Sequence, residues 1–321
     1  MKKLIAILLT VTLVLGVVGL ASAEYPKKNI KMLCPWGAGG GTDAVLRALC
    51  LSAEKELGKT IVVENKTGGG GLIGHTSIAQ AKPDGYTVGM ITFELQTYKP
   101  QGTGTITWED YIPLCLINTD AASLTVNKAW AEANKITDVA TFVEYCKAHP
   151  GEVTIGNSAP ASVWHIGAGL FATETGIDVK YVSFEGGAAA VTALAGGHIE
   201  AVSVSLAECR SQLDAGNVIC LGYMDSARPA LYPDIPTFQE QGYDIVYGTW
   251  RGLAVPKKTD AAIVTKLEET FKKATEDPAF VEFMNNGMYT IAYKNSAEFS
   301  EFLAKNAADV DATMAALGLK K

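Results

Sequence analysis

The chain has 321 residues, 48% of them apolar and 19% charged, with Lys+Arg 27 against Asp+Glu 34 and a formal charge of -7. That length suits two domains, the apolar content excludes a disordered chain, and the acidic balance argues against a general nucleic-acid binder, which would carry a basic stripe. An anionic ligand stays open, because backbone amides bind anions without help from Lys or Arg.

Lys2 and Lys3 precede an apolar stretch from Leu4 to Leu20, and Ala21-Ser22-Ala23 follows as a small-residue cleavage site. This layout predicts a cleaved signal peptide over 1–23 and a protein of the periplasm or extracytoplasmic space. No later run is apolar for long enough to span a membrane.

Residues 29–35 read as a buried strand running into the glycine loop at 37–41, with Thr42-Asp43 opening a helix that Gly58 closes. A second strand at 60–64, a loop at 68–71 and a helix to about 81 come next, followed by a strand at 86–91 and an apolar segment at 113–126. Strand–helix units then recur to about residue 223, and the C-terminal part reads as mostly helical, with a capping pair at Asn295 and Glu298. Strands alternating with helices mean parallel α/β sheets.

Six cysteines invite a disulfide reading. Three lie in strand-like runs (Cys34, Cys115, Cys220) and three in helical ones (Cys50, Cys146, Cys209), with no C-x-x-C pair, so buried free thiols are expected. Cys209 and Cys220 are the pair to check. The four histidines, at 75, 149, 165 and 198, form no metal-ligand spacing, so no metal or cofactor is expected.

The loop Pro35–Asp43 (PWGAGGGTD) joins a strand to a helix start, where small residues let a ligand reach backbone N–H groups and the helix end supplies about half a positive charge. A carboxylate or phosphate is the guest such a loop suits. No Gly-Lys-Ser/Thr follows, so it is not a P-loop. Gly69–Gly74 matches G-x-G-x-x-G, with Glu94 20 residues beyond Gly74, as in a dinucleotide fingerprint. It follows the second strand rather than the first, in a chain that reads as exported, and both points weigh against a nucleotide. No nucleophile motif is visible. His165 shares a helix face with Ser162, where capping or packing is the ordinary role. No catalytic residue is expected.

Seven ordered blocks together resemble the substrate-binding proteins of tripartite tricarboxylate transporters, the Bug-type receptors. They are PWGAGGGTD (35–43), IVVENKTGGGGLIG (61–74), KPDGYTVG (82–89), TIGNSAPASVWHIG (154–167), EGGAAAVTALAGGHIEA (185–201), RPALYPDIPTFQEQGYD (228–244) and GTWRGLAVPK (248–257). The resemblance implies a type II periplasmic-binding-protein fold, two α/β lobes joined by crossover strands with a ligand cleft between them. One lobe would comprise 24–122 plus 247–321, the other 123–246. It further implies a monomer that captures a small organic carboxylate, a di- or tricarboxylate or an aromatic acid, and delivers it to membrane transporter subunits.

Carried over by position, the first-lobe contacts are Ala38, Gly39, Gly40, Gly41, Thr42, Asp43, Gly70, Gly71, Leu72 and Phe93. The second-lobe contacts are Ser158, Ala161, Ser162, His165, Phe184 and Ser205. Leu72, Pro160, Trp164 and Glu185 depart from the commoner pattern and make the pocket less cationic and more apolar. With Trp36, Trp164, Phe184 and Trp250 at hand, an aromatic or monocarboxylic acid fits, as does an amine-bearing acid that pairs with Glu185. Arg251 has two readings, a partner for a second carboxylate or a structural ion pair. A ligand-sensing signalling partner and a secreted α/β hydrolase are the alternative functions.

Overall fold

The structure, a computed structural model, describes residues 25–321, so the expected leader at 1–23 lies outside the described residues. The first sheet begins with strands β1 (Ile30–Cys34), β2 (Ile61–Asn65) and β3 (Thr87–Thr92), in which β1 runs parallel to both neighbours. Helix α1 (Gly41–Leu57) buries Val45, Leu46, Leu49, Ala53 and Leu57, a stripe at helical spacing, and ends at Gly58 in the left-handed conformation. Helix α2 (Leu72–Ala79) makes the second crossover, and the short α3 (Tyr98–Gln101) follows β3.

The 17-residue strand β4 (Tyr111–Asn127) belongs to both sheets. Its first part pairs antiparallel with β9 (Gly248–Pro256) as far as Ala121. From Ala122 onward it pairs instead with β7 (Ala201–Ser205), and from Ser123 with β8 (Val218–Tyr223) on its other side. The second sheet continues through β5 (Thr154–Asn157) to β6 (Lys180–Ser183), all parallel beyond β7. Where the chain returns to the first sheet, a Cβ on Gly248 would stand 2.1 Å from the Asp120 carbonyl oxygen. Only glycine permits that approach of one crossing segment to the other.

Helices cover both faces. In the second lobe these include α5 (Val139–Ala148), α6 (Val163–Thr175), α7 (Gly187–Ala195) and α8 (Leu206–Asp214). The short α4 (Lys128–Ala133), capped by Asn127, was not anticipated from sequence. Near the C-terminus, α9 (Ala261–Glu276), α10 (Pro278–Gly287) and α11 (Ser296–Ala316) return to the first sheet. Asn295 and Glu298 form the expected capping box of α11, but strand β10 (Thr290–Lys294) interrupts the expected helical tail by pairing with β4. Two large apolar cores result, beside a small cluster around Leu206, Cys220 and Tyr223. One packs α1, α9 and α10 on the first sheet around Leu46, Leu49 and Phe271; the other centres on Phe142, Phe171 and Phe238. All six cysteines are buried and unbridged, Cys209 and Cys220 included.

Candidate functional site

The start of α1 is built to be open. Gly40, at the N-cap, has no side chain to bond the first-turn N–H groups, which a helix itself leaves unpaired. Asp43 holds the preceding loop shut. Its carboxylate accepts from Gly39 N–H at 3.0 Å, from Arg47 Nε at 3.0 Å and from Asn65 Nδ2 at 2.8 Å. Burial works to raise that carboxyl, but these donors outweigh it and keep Asp43 below the ordinary carboxylate range. Asp43 is therefore occupied with its own loop.

This helix start opens into an inner chamber of about 90 Å³ between the lobes. Gly40, Gly41 and Thr42 line one side, Ser158, Val163 and Trp164 another, and Gly186 to Ala188 a third. Three helix N-termini, those of α1, α6 and α7, thus meet at one space, each contributing about half a positive charge. An outer cavity of about 900 Å³ adjoins it and shares Trp36, Gly37, Glu94, Ser158 and Glu185.

Arg251, on β9, lines the chamber floor and is 3% exposed. Its Nη1 is bonded to Asp120 and its Nε donates to Thr42 Oγ1 at 3.0 Å. Burial alone would weaken its charge, but Asp120 more than offsets this and the guanidinium is held above its ordinary pKa. The structural ion pair is thus realised, at the site itself. Glu94 is 4% exposed and reaches across the lobes. Thr92 Oγ1 donates to its Oε2 at 2.7 Å, and Val163 N–H, in the first turn of α6, points to its Oε1 at 3.4 Å. Glu208, on α8, accepts from Ser205 Oγ at 3.1 Å, and a Cβ on Gly187 would fall 2.4 Å from its Oε1. Burial pushes both glutamates above the usual carboxylate pKa.

The wall of the outer cavity is set by a second network. Gly68 to Gly71 all take positive φ, a run that side-chain-bearing residues would strain. Tyr98 Oη donates to Gly70 O at 2.9 Å and meets His75 Nδ1 at 2.7 Å, while His75 Nε2 accepts Thr92 N–H at 3.2 Å. These bonds define one tautomer, with the proton on Nδ1. The fingerprint glycine Gly74 has a packing role, since a Cβ there would lie 2.5 Å from Pro35 Cα. Burial lowers the His75 pKa to about 3. An unfolded chain binds a proton at this residue below about pH 6.5, and the folded chain does not, so stability falls as pH drops through that value. Between pH 7 and pH 5 the wild type is expected to lose about 2 kcal/mol more than His75→Gln, read from urea midpoints. Equal slopes in the two proteins would remove His75 from this role.

Of the residues singled out from sequence, Trp36, Ala38, Gly40, Gly41, Thr42 and Ser158 line the inner chamber, and Gly70, Gly71, Leu72 and Phe184 line the outer cavity. Gly39 borders a side cavity next to Glu208. Phe93 turns the other way, edge-on to Tyr247 at 5.9 Å, where the chain leaves β3 for a 3₁₀ turn over Phe93–Gln96, while Thr92 and Glu94 line the chamber. Ser162 caps α6, and its Oγ accepts His165 N–H at 3.3 Å. His165 Nδ1 accepts Ala161 N–H at 2.9 Å and its ring lies against Tyr181, so this trio shapes the loop instead of facing the chamber. Ser205 caps α8 and reaches the chamber only through Glu208. Trp250 is core, edge-on to Phe299. The sequence reading missed Thr92, Glu208 and Thr249 as lining residues, and took Glu94 only as part of a nucleotide motif.

Two α/β lobes linked through shared strands, with helix starts converging on a cleft, define a solute-binding protein of the two-lobed periplasmic type. The profile of the tripartite tricarboxylate transporter family receptor matches residues 45–319, and the chain belongs to that family. It is 29% identical to BugT of Bordetella pertussis, over 88% of this chain and 87% of that protein. A TctC solute-binding protein from Polaromonas superposes with a TM-score of 0.69 at 33% identity, over 90% of this chain and 99% of that one. An R. palustris protein solved with adipate superposes with a TM-score of 0.86 at 23% identity, over 92% and 98% of the two chains.

Proposed function

We propose that this chain is an exported, monomeric receptor that captures a small organic carboxylate between its lobes and presents it to the membrane subunits of a tripartite transporter. The observation that carries this reading is the uncapped start of α1 inside the inter-lobe chamber, where the first-turn N–H groups and Arg251 favour one carboxylate group. The adipate in the R. palustris relative is a dicarboxylate, which supports the same ligand chemistry here. Trp36 and Phe184 in the wall support an organic rather than an inorganic anion. On this reading the lobes close about residues 120–122 and 247–249, where β4 and β9 pass from one sheet to the other.

Thermal unfolding of residues 24–321 against a panel of di- and tricarboxylates, aromatic acids and amino acids tests it, after unfolding and refolding to strip any bound molecule. A ligand at about 100 times its Kd is expected to stabilise by about 2.7 kcal/mol, a rise of a few degrees. No shift with any acid would overturn the receptor reading.

A further inference from the structure

The chamber is lined by one arginine and three glutamates, Glu94, Glu185 and Glu208. The arginine is already engaged by Asp120. Among the described residues, none of the three glutamates is ion-paired. The chain's own carboxylates also lie at two of the three helix starts, Glu94 facing Val163 N–H of α6 and Glu208 beside Gly187 of α7. The start of α1 is the one left for a ligand carboxylate. A second carboxylate would enter a space already crowded with acids, whereas an ammonium group beside the first would meet Glu94 and Glu208.

From this geometry we propose that Glu94 and Glu208 make the cleft selective for a ligand bearing an amino group next to its carboxylate, an α-amino acid. The inference rests on the carboxylate-receptor reading and specifies the ligand class. The carboxylate sits on the α1 amides and the ammonium faces the two glutamates. The side chain runs past Glu185 into the outer cavity, where Leu72, Tyr98 and Phe184 offer apolar surface. Such a zwitterion brings no net charge into the chamber. The burial that pushes Glu94 and Glu208 toward their neutral forms is relieved when a cation lies against them.

The test compares matched pairs by calorimetry on the refolded protein: L-leucine with 4-methylpentanoate, L-phenylalanine with 3-phenylpropionate, and L-glutamate with glutarate. In at least one pair the amino acid is expected to bind about 10- to 100-fold more tightly, the range for hydrogen bonds to a charged group. Glu94→Gln and Glu208→Gln are each expected to reduce that ratio by about tenfold. Equal or tighter binding of the acids that lack the amine, or a ratio unmoved by both substitutions, overturns the inference and leaves the receptor reading standing. Binding of no acid at all overturns both. The wild-type ratio decides the ligand class even if a buried variant fails to fold.

Discussion

Replacing Asp120 with alanine is expected to destabilise the protein by about 3–5 kcal/mol at neutral pH, because it strands the Arg251 guanidinium in the interior without its counter-ion. Both side chains are nearly inaccessible, so water cannot take over the solvation that Asp120 provides. Asn118 loses as well, since its Nδ2 donates to the same carboxylate at 2.9 Å. The double variant with Arg251→Met is expected to recover much of the loss, for then no charge is buried alone. Urea midpoints measure both. A cost under about 1 kcal/mol for Asp120→Ala would mean that Glu208 suffices as the counter-charge, a different electrostatic arrangement of the chamber.

Gly41→Val tests the start of α1 as the carboxylate site. Gly41 is the first residue of α1 and its φ lies outside the left-handed region, so valine meets no backbone strain there. Even a Cβ at this position lies 3.2 Å from Arg251 Nη2 and 3.5 Å from the Tyr289 ring, so a valine takes up space at the start of α1 that a ligand would need. The expected result is a loss of affinity for the carboxylate ligand of about 100-fold, equivalent to about 2.7 kcal/mol, with a stability cost of about 1–3 kcal/mol from overpacking against Arg251. Retained affinity would show that the ligand does not use this helix start.

The alternation of strands and helices was readable because period and punctuation agree. Gly58 ends α1 and the Asn295–Glu298 pair opens α11 as their types demand. What escaped was the part of the site made by distant segments. Glu94 lies 20 residues after Gly74, a spacing that suggested a ribose contact, yet its carboxylate is turned to the start of α6, 69 residues further along the chain. Ser205 and Glu208 stand three apart, as in a helix-capping signature, and that local pairing is indeed made. Nothing in the spacing says that the same carboxylate also reaches Gly187. The displacement of Phe93 from the chamber has a simpler cause. The strand ends at Thr92 and Phe93 opens a 3₁₀ turn, whose rotation of about 120° per residue points it away from the chamber. A structural ion pair is one of the two readings the sequence offers for Arg251, but its partner Asp120 lies 131 residues earlier in the chain.

Strand β4 has a consequence for how the molecule assembles. Its register with β9 joins Tyr111 to Pro256 and Ala121 to Gly248, partners more than a hundred residues apart. The first sheet therefore cannot be completed by the N-terminal third of the chain, and β3 keeps an unpaired edge until β9 has been delivered. Contacts of such long separation form slowly, because the intervening loop must be ordered first. A chain emerging from its N-terminus would close the second lobe's sheet earlier, as all of its strands lie before residue 224. Maturation would then finish from the back, with residues 248–316 adding β9, β10 and the last three helices in one late step. Cutting the chain before β9 would leave exposed strand edges on β3 and β4, the surfaces on which partly folded chains associate with one another.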